Sequence, residues 1–74
     1  MQEDVDKIHK GLLDALNSAI TLQQKVFDSE GDSDLFRKLS CYLVPNLQRW
    51  ADGAQAGGIK DLNETLERRA REKN

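Results

Sequence analysis

At 74 residues and 8.4 kDa the chain has room for one small domain, spanning residues 1–74, whose ordering entropy of roughly 1.5 kcal/mol per residue nearly cancels its hydrophobic gain. One cysteine, Cys41, excludes an intrachain disulfide, and with His9 as the single histidine a four-ligand Cys/His zinc centre is excluded too. A net charge of −2, an acidic opening (Met1-Gln2-Glu3-Asp4) and no apolar run near ~18 residues speak against a nucleic-acid footprint, a signal peptide and a membrane span, so a cytoplasmic protein without cofactor is expected.

The first helix is expected over about residues 3–28. Val5, Ile8, Leu12, Leu13, Ala15, Leu16, Ala19, Ile20, Leu22, Val26 and Phe27 fall within one arc of roughly 180° at helical spacing, opposite a polar side. Val5, Leu12, Ala19 and Val26 recur every seven residues, a spacing that allows coiled-coil-like packing. Gln23 lies centrally on this arc, where a buried amide needs a partner and can fix register; the alternative is a stem that carries the amide out to solvent. Such a broad arc exceeds what one neighbouring helix covers. Val5, Ile8, Leu12, Leu16, Ala19, Gln23 and Val26 are therefore the candidates for a homodimer interface.

Residues 28–34 contain four acids, one glycine and no apolar side chain, which reads as a turn. The spacing fails the calcium-loop test, because no register places glycine at position 6 and glutamate at position 12. Asp32 or Ser33 is expected to cap the second helix, with Asp34 in its first turn.

The second helix, about 33–56, carries Leu35, Phe36, Leu39, Tyr42, Leu43, Leu47, Trp50 and Ala54 in one phase. Pro45 lacks the N–H that would bond the Cys41 carbonyl, so the helix is either split at Pro45 or kinked. Continuity of the apolar phase across the proline favours the kink. Gly57-Gly58 is the expected stop. Tyr42, Leu43, Leu47 and Trp50, with a small apolar spot at Cys41 and Val44, are the candidate contacts for a protein partner.

A third helix is expected over about 60–71, opened by Asp61 with Glu64 in a capping-box-like arrangement and striped by Ile59, Leu62, Leu66 and Ala70. Arg68, Arg69, Arg71 and Lys73 crowd its end, where they suit the helix dipole and are the candidate contacts for phosphate or acidic partners. Residues 1–37 carry 4 Lys+Arg against 8 Asp+Glu, net −4, and residues 38–74 carry 7 against 5, net +2. In an up-down-up bundle the basic end would lie beside the acidic turn.

The expected fold is all-α: an antiparallel helical hairpin or a three-helix bundle, dimerising into a larger bundle. No acid, base, nucleophile or metal set converges. Cys41 and His9 are expected to point to different places, and the glycines lack the Lys-Ser/Thr of a phosphate loop. Leu35 through Trp50 to Leu66, with a tyrosine-leucine step, a glycine-containing break and a final leucine helix, is loosely similar to the late helices of bacterial flagellin export chaperones, over about half the chain. That resemblance implies a chaperone-like role. The expected function is a non-enzymatic protein–protein interaction module, an adaptor or regulator; the alternative is a dimeric nucleic-acid-associated regulator using the C-terminal cations.

Overall fold

The computed structural model of the chain describes residues 1–29, 33–53 and 55–72. Helix α1 spans Gln2–Asp28, and after the turn α2 (Ser33–Lys38), a π-helical segment (Leu39–Leu43) and α3 (Val44–Asp52) follow without interruption; α4 is Ile59–Glu72. No strand occurs among the described residues, and the all-α expectation holds. No helix among them is long and apolar enough to cross a membrane.

The passage through Pro45 has a local cause. Its ring crowds the carbonyl four residues back and it offers no N–H, so the turn before it widens to i→i−5 bonding. The Val44 N–H reaches the Leu39 carbonyl, and Lys38, Leu43 and Val44 all keep right-handed helical dihedrals. The helix ends at Asp52, earlier than the Gly57-Gly58 stop expected from composition. Gly53 takes the left-handed conformation (φ 78°, ψ 20°) and returns its N–H to the Arg49 carbonyl, which closes the helix.

The corner that follows is tight. A side chain on Gly53 would collide with the backbone and Cβ of Lys60, and one on Gly58 would come within 2.7 Å of the Gly53 Cα. Helix α4 begins at Ile59, two residues before the expected Asp61 cap. Gly58 accepts the first helical bond, from the Leu62 N–H at 2.9 Å, and the Asp61 carboxylate accepts from the Gly57 N–H at 3.0 Å. Asp61 thus serves from within the first turn.

Contacts along α1 give the direction of the rest of the chain. Phe27 lies against Phe36 with ring centroids 5.8 Å apart and planes tilted by 42°, Gln23 donates to the Ser40 hydroxyl at 2.7 Å, and Gln2 donates to the Asn63 side-chain Oδ1 at 3.1 Å. Residue numbers rise along the second arm as they fall along α1, and α4 continues in that direction past Met1, beside which Leu66 and Ala70 lie. Among the described residues no third arm returns along α1. Arg68, Arg69 and Arg71 near the end of α4 are therefore at the opposite end of the molecule from Asp28 and Asp34. Gln2 and Asp28 are separated by about 39 Å of helix at 1.5 Å per residue, which overturns the juxtaposition expected from an up-down-up bundle. Asp34 is instead paired locally with Arg37 at 2.9 Å and Lys38 at 3.0 Å.

The result is long and thin. The Cα envelope measures 58 × 19 × 11 Å and the radius of gyration is 15.9 Å, against about 11 Å for a compact chain of this length. Two helices lie side by side in a single layer. Val5, Ala19, Leu39, Ala51 and Ile59 form the buried seam between them, and even Leu39 and Ala51 keep 4% of their surface.

Candidate functional site

The heptad spacing of α1 divides its apolar arc into three rows. Val5, Leu12, Ala19 and Val26 run along the seam; residues four positions on, His9, Leu16 and Gln23, flank it on one side, and those three positions on, Ile8, Ala15 and Leu22, flank it on the other. The contacts of Gln23 with Ser40 and of Gln2 with Asn63 mark the first side as the back of the layer. On the other side Met1 and Ile8 face Leu62, Leu66 and Arg69 across a shallow groove of about 330 Å³. This side is the open face.

Helical offsets from the buried Leu39 and Ala51 turn Leu35, Tyr42, Leu43 and Trp50 toward the open face as well. Ile8 is 48% exposed, Tyr42 57% and Trp50 39%, large values for side chains that together form one apolar stripe on each arm. On the back, Leu13, Ile20 and Phe27 of α1 are also exposed, but there the second arm presents polar Ser40, Gln48 and Asn63 beside Phe36. Apolar surface contributed by both helices occurs on the open face.

The residues singled out from sequence divide accordingly. Tyr42, Leu43 and Trp50 are exposed on the open face, and Leu47 is half-buried beside them. The Cys41–Val44 spot is separated into an exposed Cys41 and a half-buried Val44 turned toward the seam. Of the first-helix set, Val5 and Ala19 are buried by the chain's own second arm, and Leu12, Leu16 and Val26 are half-buried there. A second copy cannot reach Val5 or Ala19 in this fold, whereas Ile8 remains open. Gln23 is half-buried and satisfied by Ser40, which settles its alternatives in favour of a partner within the chain.

Arg68, Arg69 and Arg71 are exposed, with Glu64, Glu67 and Glu72 interleaved; Lys73 lies outside the described residues, as do Glu30, Gly31 and Asp32 of the turn. Ser33 opens α2 and Asp34 stands in its first turn. The Arg37 guanidinium and then the Lys38 ammonium hold the Asp34 carboxyl below the usual aspartate value. Among the described residues no three His, Cys, Asp or Glu side chains gather in a way that could hold a metal ion. Cys41 adjoins Ser40, which meets Gln23, about 21 Å of helix away from His9, so these two form no dyad.

Composition could not reveal the outward display of Leu22 and Leu35, because their phase suits a seam as well as a surface. The π segment is the other feature missed, and Pro45 was its signal. Widened turns of this kind occur often at functional positions, and this one carries Tyr42 and Leu43. The chain matches no protein-family model, and no curated protein or solved structure is similar to it.

Proposed function

We propose that this chain is a non-enzymatic protein–protein interaction module, a small cytoplasmic adaptor or regulator that works by packing its open face against helices of another protein chain. The observation that carries the reading is the apolar surface left uncovered on both arms. A folded chain of 8.4 kDa is expected to expose about 4,600 Å², and this one exposes 5649 Å², an excess of about 1,000 Å². That excess is total surface of a single extended layer, and Ile8, Leu22, Tyr42, Leu43 and Trp50 are the exposed apolar side chains in it that a partner would remove from water. Tyr42 and Trp50 are the natural anchors, since large aromatics near the centre of an interface carry most of its energy. The π segment supports the reading by holding Tyr42 outward.

The test is a pair of charge substitutions, Tyr42→Glu and Trp50→Glu, set against Gln48→Glu on the back of the layer. With helical circular dichroism unchanged, the first two are expected to abolish association of the chain with protein in its native host, and the third to leave it intact. Equal retention of protein partners by all three would refute the assignment of this face.

A further inference from the structure

The second arm of the chain contains two apolar registers, and the π turn selects between them. We propose that this turn is a register switch: with it the arm displays Leu43 and Trp50, and without it a rolled, continuous α-helix hides both against α1. Pro45 holds the displaying register. This step rests on the interaction reading above, for which hidden anchors are an inactive form.

Rotation about the helix axis shows what the turn does. The twelve residue steps from Leu39 to Ala51 leave these two side chains about 120° apart on an unbroken α-helix. One seam cannot take both at that angle, yet each keeps just 4% of its surface exposed. The Val44 N–H bonds the Leu39 carbonyl five residues back, so the π turn takes up about one extra residue and brings the two to within about 20° of one another.

Without the π turn the same residues make a different face. Phe36, Leu39, Leu43, Leu47 and Trp50 fall within about 80° of arc on an unbroken α-helix, centred about 80° from Ala51. In the structure that stripe is divided: Leu39 is buried and Phe36 and Leu47 half-buried, whereas Leu43 is 46% and Trp50 39% exposed. Rolling α3 by about 80° as the turn closes to α would reunite all five against α1. Because Ser40 lies beside Gln23 in antiparallel helices, Trp50 comes level with Leu12 and Leu16 of α1. Both are half-buried, so a rolled indole finds apolar surface there.

Pro45 decides between the registers. A continuous helix needs an N–H at position 45 for the Cys41 carbonyl, and room for that carbonyl beside the side chain. Proline denies both, and the π turn immediately before it avoids the collision. A partner that binds only the displayed face adds its binding free energy to that preference.

Trp50 is the single tryptophan, so the purified full chain reports its own register by fluorescence. Pro45→Ala restores the N–H and is expected to move Trp50 emission to shorter wavelength and to remove most of its quenching by acrylamide, with the helical circular dichroism kept. Removing Cys41 from that variant shortens the arm by one residue, so an unbroken α-helix again leaves Leu39 and Ala51 about 20° apart. The original emission and quenching should then return. Unchanged emission in Pro45→Ala overturns the proposal, as does loss of its helical signal, or emission that stays at short wavelength once Cys41 is also removed. If Pro45→Ala hides Trp50 yet retains every protein partner in the host, the switch stands and the interaction reading of this face falls. If Trp50 stays exposed in Pro45→Ala while Trp50→Glu still costs a partner, this inference alone falls.

Discussion

Three glycine-to-alanine substitutions separate backbone strain from steric contact in this fold. Gly11 lies in the exposed part of α1 with nothing within 4 Å of an added Cβ, so Gly11→Ala only improves helix propensity and stabilises by about 1 kcal/mol. Gly57 has φ 85° with open space around it; alanine there bears only the left-handed penalty of about 1–2 kcal/mol. Gly53 has nearly the same dihedral, φ 78°, but its Cβ would run into Lys60 at the start of α4. Overpacking adds about 1–3 kcal/mol to the conformational cost, so the total is about 2–5 kcal/mol. In a chain of this size each kcal/mol moves the melting temperature by about 4–8 °C, so thermal unfolding by circular dichroism resolves all three. Protein concentration must be held constant, because association makes the midpoint concentration-dependent. Gly11→Ala should melt higher, Gly57→Ala lower, and Gly53→Ala lowest by a clear margin. Equal losses for Gly53→Ala and Gly57→Ala would refute the tight corner that sends α4 onward from α3.

Other consequences follow from single contacts. Ser40→Ala leaves the half-buried Gln23 amide without its partner and should cost about 1–3 kcal/mol, whereas the double change Gln23→Leu with Ser40→Ala should recover most of it; chemical denaturation measures both. The Asp34 carboxyl titrates below its ordinary value in the folded chain, so its contribution is present above about pH 4 and is lost as pH falls through the lowered folded value. Asp34→Asn should accordingly flatten the acid limb of the stability profile, seen by circular dichroism between neutral pH and pH 2. The three arginines of α4 alternate with Glu64, Glu67 and Glu72 and offer phosphates no continuous track, so the chain should leave a nucleic-acid column in the low-salt wash. Strong retention reversed by salt would favour the nucleic-acid alternative.

Periodicity revealed the faces of the helices but not their directions. The arc from Val5 to Phe27 was legible because apolar side chains recur at helical spacing, and the apolar phase continued legibly across Pro45. What the pattern could not say is how the arc is shared. Val5 and Ala19 are covered by the chain itself, while Ile8 and Leu22, equally apolar in sequence, stand open because one neighbouring helix covers only part of so wide an arc. The course of α4 was hidden for a different reason. A glycine-rich break suits a reversal as well as a continuation, and the choice depends on the left-handed turn at Gly53 and its close approach to Gly58 and Lys60, a three-dimensional fit without a period. The candidate site was legible in its aromatics, Tyr42 and Trp50, and illegible in its extent.

The central claim, that the open face is a protein-binding surface, is tested most directly by site-specific photo-cross-linking in the native host. A photoreactive residue at Trp50, on the open face, should give a discrete protein adduct, and the same residue at Gln48, on the back, should give none. Adducts at neither position, or equally at both, would contradict the account.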